Sequence, residues 1–187
     1  MATNTGNARG WSRPAWGTAT GLLLLPAIAM RFPGSGVAWT ASDFIVMGAL
    51  LALTCGAWEL ARRLSGDGMA RLGFAAAVLG GFALVWVNLA VGLVGDGGNP
   101  ANLMFMGVVA VAIAAALMAR GRPRAMVRAM LATAAAHAAV GAIAMLGGWG
   151  APHDGPLRVA AITAFFMLPW LLSAALFHAS ATRAAAR

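Results

Sequence analysis

The chain has no tyrosine and no lysine, one cysteine and only five acidic residues. Each scarcity removes a class of chemistry or of environment. A lone cysteine, Cys55, cannot form an intrachain disulfide, and it leaves the redox compartment undetermined. The three histidines, His137, His153 and His178, fall at three expected depths, so they do not converge on one haem iron or one metal. No Ser-His-Asp pattern and no H-E-x-x-H motif occurs. With so few ionisable groups the chain reads as non-enzymatic, with no catalytic residue, no metal and no cofactor expected. Charge is scarce overall, at 10% of residues, where a soluble domain carries about 25%. Water is therefore not the main solvent expected.

What is abundant is apolar sequence. The chain of 187 residues is 61% hydrophobic, with a mean hydropathy of +0.80. Six stretches, at about 16–32, 43–61, 72–94, 100–119, 125–147 and 157–180, are long and apolar enough to cross a membrane as helices. The fold class expected is all-α, an integral membrane bundle of six transmembrane helices. It divides into an N-terminal segment 1–15, a transmembrane domain 16–180 and a tail 181–187. The first stretch also has features of a signal peptide, with Arg9 and Arg13 before an apolar core and Ala27-Ile28-Ala29 as a cleavage motif.

The 13 basic residues are all arginine and give a net charge of +8. In a soluble protein that charge would suggest nucleic acid. Here the arginines sit at the ends of apolar runs, so the bilayer is the expected partner and nucleic acid is not. With six spans, 11 of the 13 fall on one side, and only Arg31 and Arg158 on the other. The positive-inside rule then places both termini in the cytoplasm. The same distribution favours retention of the first helix. Trp11 and Trp16 fall at the inner interface and Trp39 and Trp149 at the outer one, while Trp58, Trp86 and Trp170 read as packing residues.

Lipid supplies no hydrophobic drive for helix association, so small residues must let helices approach. Gly73, Ala77, Gly81, Asn88, Gly92 and Gly95 predict one such stripe on the third helix. Gly48, Ala52, Cys55, Gly56 and Glu59 predict one on the second, and Thr133, His137 and Gly141 one on the fifth. Short connections predict that consecutive helices are antiparallel neighbours. Pro26 and Pro169 each free a carbonyl inside a helix, and His137 is a candidate donor to the one freed by Pro169.

Ionisable groups inside a membrane are functional candidates by default. Glu59 and His137 are the two here. Their structural readings are an ion pair of Glu59 with Arg62 or Arg63, and a packing role for His137. The outer end holds the larger polar set. Trp39, Asp43, Asn88, Asn99 and Asn102 form the candidate polar site, and three of the chain's five asparagines lie in the stretch NLAVGLVGDGGNPANLMF, 88–105. Thr40 and Asp43 read as a capping box, and Asn99-Pro100 as an N-cap followed by proline at the first helical position. Asn88 lies inside the third helix and is expected to reach Asp43 or Asn102. The N-P-A at 99–101 resembles the aquaporin motif, but that family uses two copies at mid-membrane and this chain has one, at a surface.

WTASDF at 39–44, NLAVGLVGDGGNPANLMF at 88–105, LLLLPAIAMRF and ELARR resemble signatures of a family of small multi-pass proteins of bacterial inner membranes. The resemblance covers about residues 20–125. It implies fold and location and carries no assigned activity. Position by position it marks Trp39, Thr40, Asp43, Phe44, Asn88, Asn99, Pro100 and Asn102. The leading expectation is an accessory, scaffold or sensor protein with a polar site on the periplasmic side, whose candidate partners are other membrane proteins or a second copy. The alternative is a small-solute or proton-coupled transporter or channel using Glu59, His137 and Asn88. An intramembrane enzyme ranks third.

Overall fold

The computed structural model describes residues 12–186 except residue 66. Arg9, Trp11 and Arg187, which enter the arginine and tryptophan patterns, lie outside the described residues, as does most of the segment 1–15. The described residues form six α-helices and contain no strand. They are α1 (Ser12–Ala29), α2 (Ala41–Leu64), α3 (Gly68–Ala90), α4 (Leu103–Ala119), α5 (Pro123–Leu146) and α6 (Pro156–Ala185). A 3-10 turn, Pro100–Asn102, leads into α4. Among the described residues five helices, counting that turn with α4, are long and apolar enough to cross a membrane, and α1 is the short one.

Proline and glycine set most of the boundaries. Pro123 and Pro156 stand at the first position of α5 and α6, and Pro100 at that of the 3-10 turn, where a missing N–H costs nothing. At the far end of α4, Arg120 and Gly121 take left-handed backbone, with φ of 50° and 72°. The Arg120 N–H closes the helix onto Ala116 and Leu117. Several expected edges are displaced, and the sixth helix runs on to Ala185 instead of 180. The first ends at Ala29 instead of 32, because Arg31 and Phe32 tighten onto Ile28 and Ala29 ahead of Pro33. The third runs 68–90 instead of 72–94. It starts early because Asp67 caps it, accepting from the Ala70 N–H at 2.8 Å. It stops early because Gly92 and Gly95 take φ of +79° and +69°.

The chain divides into two compact units, Met1–Leu60 and Ala61–Arg187, with the boundary inside α2. In the first unit α1 and α2 run antiparallel where they meet. Leu23 lies 3.7 Å from the position a Gly48 side chain would start. The buried Cys55 thiol lies 3.7 Å from the Ala15 carbonyl, as a small packing residue. The inward line on α2 passes through Gly48, Leu51 and Cys55, while Ala52 and Gly56 of the expected stripe are exposed.

In the second unit the helices pack in the order α3–α6–α5–α4. The short α3–α4 connection does not make those two helices close neighbours along their lengths, since α3 packs mainly on α6 and α4 mainly on α5. Small residues sit where the helices meet. A side chain on Gly80 would strike Pro169, and one on Gly141 would strike Thr163. The Phe177 ring lies 3.0 Å from where a Gly73 side chain would begin. The α3 stripe is real from Gly73 to Asn88, with Gly80 at the closest approach, but Gly92 and Gly95 belong to the loop. Thr133, His137 and Gly141 are all buried on one face of α5, as their spacing predicts. Trp170 is buried, whereas Trp86 is exposed against Phe82 and is not a core residue.

At the end of the unit opposite the asparagines, Asp67 also accepts from the Ser180 hydroxyl at 2.6 Å, joining the start of α3 to the end of α6. That bond, then the Ala70 N–H, hold the Asp67 carboxyl below its ordinary value, and Arg183 adds a smaller contribution. A lowered folded-state value means that the stabilisation is complete above the unfolded carboxyl pKa and is lost as pH falls through the folded one. Acid unfolding below about pH 4 is therefore expected to soften in Ser180→Ala, with little change at pH 7 in the slope of stability against pH. A pH-unfolding series on both proteins checks it.

Candidate functional site

The polar site is built where α3 stops. Asn102 lies in the 3-10 turn and is buried, with 5% exposure. Its Oδ1 accepts from the backbone N–H groups of Leu93 at 2.8 Å and Val94 at 3.0 Å. Its Nδ2 donates to the carbonyls of Asp96 at 2.8 Å and Val94 at 3.3 Å. One amide thus satisfies four backbone groups of the loop that follows α3. An amide suits this task because it offers two donors and an acceptor with two lone pairs. Leu93 and Val94 can then be buried although they lie in a loop, with exposures of 2% and 1%. Gly92 passes so close to the Asn102 amide that a side chain would start 2.6 Å from Nδ2.

Asn88, in the last turn of α3, donates through Nδ2 to the backbone carbonyl of Asn102 at 3.1 Å. Of the two expected partners the structure selects Asn102, through its main chain. The Asn88 Oδ1 is buried with no partner among the described residues.

Asn99 does two things. Its Oδ1 accepts from the Ala101 N–H at 2.9 Å, which caps the 3-10 turn. Its Nδ2 donates across to the Trp149 carbonyl at 2.7 Å, in the α5–α6 loop. A second cross-link runs the other way, from the Gly95 N–H to Asp154 Oδ2 at 2.7 Å. The other Asp154 oxygen lies 2.6 Å from Arg158 Nη1. The two loops are therefore bound to each other, and they lie at the same end of the unit.

The dual role of Asn99 changes what its substitutions should do. A pure cap would make Asn99→Asp nearly neutral and Asn99→Ala cost about 1 kcal/mol. With the Trp149 bond present, Asp loses the donor and sets a carboxylate against a carbonyl. Both variants are expected to cost about 1–2 kcal/mol. Thermal unfolding of the two, compared with wild type, checks this, and a neutral Asn99→Asp would show that the Trp149 bond carries no energy.

Trp39 and Asp43 belong to the first unit and are engaged locally. Asp43 Oδ2 accepts from the Thr40 N–H at 2.7 Å and the Thr40 hydroxyl at 2.8 Å, and the Asp43 N–H faces Thr40 Oγ1 at 3.4 Å. This is the capping box that starts α2. Trp39 sets its ring edge-to-face with Phe44 at 5.2 Å. Glu59 is half-buried on α2, and none of Glu59, Arg62 and Arg63 stands without a partner.

His137 is fully buried on α5, and its ring lies 5.4 Å from that of Phe105 on α4. Neither ring nitrogen has a hydrogen-bond partner among the described residues, so it does not take the carbonyl freed by Pro169. His153 and His178 are exposed. Asp154 carries more of the site than its Asp-Gly turn signal suggests, because its partner is 59 residues away in sequence. The Asp67–Ser180 bond spans 113 residues and has no local signal beyond a single acidic residue in an arginine-rich loop.

The long apolar helices, joined by loops whose buried polar groups bind their own backbone, define the class as a multi-pass membrane protein. Searches with the chain find no matching family model, no matching curated protein and no matching solved structure.

Proposed function

We propose that this is a non-enzymatic protein of the bacterial inner membrane, of accessory, scaffold or sensor type. In this reading six helices cross the bilayer, both ends lie in the cytoplasm, and the asparagine-bound loops form a periplasmic surface. The observation that carries the proposal is how the polar side chains are used. Asn102 spends its amide on four backbone groups of one loop, and Asn99 and Asp154 tie that loop to the next. Asp96 is likewise taken by the Gly98 N–H at 2.9 Å. Groups so committed fix a shape and leave little to bind and turn over a substrate. The arginine distribution supports the orientation. Other membrane proteins or a second copy of the chain are the partners this surface would suit.

The transporter or channel reading, with Glu59, His137 and Asn88 as polar stations, is favoured by one observation. His137 and Asn88 Oδ1 are buried polar groups with no hydrogen-bond partner among the described residues. Reconstitution separates the two. The scaffold reading expects proton flux across protein-containing liposomes equal to that of empty ones. Flux that is present in wild type and lost in a folded His137→Gln protein would replace it with the transporter.

A further inference from the structure

Buried polar groups in proteins are almost always hydrogen-bonded, and each exception asks for a partner. Two exceptions face the interior of the α3–α6 unit from adjacent helices. Both nitrogens of His137 on α5, and Nε1 of Trp170 on α6, are buried without a protein partner among the described residues. Their exposures are 0% and 2%.

The register of the two helices brings these groups to nearby levels. Gly141 of α5 packs against Thr163 of α6, which fixes one common level. The helices are antiparallel neighbours. From that level His137 lies one turn along, about 6 Å, and Trp170 two turns along, about 10.5 Å, in the same direction. The two α-carbons thus differ by about 4–5 Å in depth. Long helical side chains lean toward the N-terminus of their own helix. His137 therefore leans toward the Pro123 end and Trp170 toward the Pro156 end, which narrows their difference in depth; the far edge of the indole lies 3.6 Å from where a Gly81 side chain would begin, on α3. At the level of Trp170 the residue on α5 is Ala134, a small buried residue.

One turn beyond His137 on the same face stands Thr133, at 0% exposure. Its hydroxyl donates to the Ala129 carbonyl at 2.9 Å, which leaves its lone pairs available.

We propose that His137, Trp170 and Thr133 together hold one water molecule inside the bundle. The donor and acceptor inventory closes. The indole N–H can only donate, so the water accepts from Trp170. A neutral imidazole has one bare nitrogen, which accepts one water hydrogen. Thr133 Oγ1 accepts the other. The Phe105 ring, with its centroid 5.4 Å from that of the imidazole, is the neighbour to which the remaining imidazole N–H would donate, as a weak acceptor. The water then makes three hydrogen bonds, the usual number for a buried one. Dry alternatives leave at least two strong polar groups unpaired in a low-dielectric core. Asn88 Oδ1 lies about two turns from the corresponding level of α3 and is not part of this site.

The test uses the full chain in lipid bilayers, labelled with nitrogen-15 at histidine and tryptophan, with proton NMR exchange from water as the readout. In wild type the Trp170 indole N–H and the His137 ring are expected to show cross-peaks to a water that exchanges slowly with bulk. In Thr133→Val and in His137→Phe the Trp170 indole proton is expected to move upfield, and its water cross-peak to disappear. Absence of any water cross-peak to both groups in wild type overturns the proposal, whatever the variants do. So does a cross-peak that survives unshifted in a folded Thr133→Val protein, because the water would then be held by other groups.

Discussion

Asn102→Ala is expected to destabilise the α3–α6 unit by about 3 kcal/mol, a large effect for a residue outside any helix core. The substitution removes one amide and strands the Leu93 and Val94 N–H groups and the Val94 carbonyl, while the Asp96 carbonyl keeps the Asn99 N–H. Each buried group left unpaired costs about 1–3 kcal/mol, and partial access of water to the relaxed loop keeps the total toward the lower end. Asn102→Asp should do no better. It keeps an acceptor for the two N–H groups but turns a negative oxygen on two carbonyls. Asn88 is less exposed to the change, because its partner is the Asn102 main chain, which survives both substitutions. Chemical or thermal unfolding in a mild detergent measures the loss. Limited proteolysis should show earlier cutting within residues 91–99. A change under about 0.5 kcal/mol, the size of an ordinary surface substitution, would mean that the four bonds do not organise the loop.

Gly80→Ala is the second large effect expected, at about 2–3 kcal/mol. The added carbon would overlap the β-carbon of Pro169, which belongs to a rigid ring and cannot rotate away. The only relief is separation of α3 from α6, which also strains the Ser173 hydroxyl bond to the Gly73 carbonyl at 2.8 Å. The matched control is Gly107→Ala on α4, where a new side chain meets nothing within 4 Å. There the lower backbone entropy of alanine should raise helix stability by about 0.5–1 kcal/mol. Equal behaviour of the two variants would show that the α3–α6 approach is looser than its geometry indicates.

How far the sequence discloses these features depends on whether the signal is local. Pro123 and Pro156 mark the starts of α5 and α6 within two residues of the expected edges, because proline at the first helical position is a local device. The capping box at Thr40 and Asp43 and the cap at Asn99 are legible for the same reason. The end of α3 is not. Val91, Leu93 and Val94 are as apolar as a continuing helix, and hydropathy carries no information about the positive φ of Gly92 and Gly95. The inward position of Asn88 follows from its place on the Gly73 stripe, and its bond to Asn102 agrees with that reading. The packing order is illegible in loop lengths, since a short loop after α3 requires only that α4 start nearby. Asp154 reads as a turn residue because a bond to Gly95 leaves no trace in the residues beside it. His137 is legible as buried, but not as unpaired, because pairing depends on the neighbouring helices.

The structure ties the loop after α3 to the loop after α5, so 91–99 and 147–155 must share one side of any membrane the helices cross. Which side that is carries the whole functional proposal, since a periplasmic surface and a cytoplasmic one meet different partners. Paired reporter fusions, one active only in the periplasm and one only in the cytoplasm, decide it when placed after Gly97, Gly121 and Gly155 and at the C-terminus. The arginine distribution predicts periplasmic activity after Gly97 and Gly155, and cytoplasmic activity after Gly121 and at the C-terminus. The reverse pattern, or different sides for Gly97 and Gly155, would contradict it.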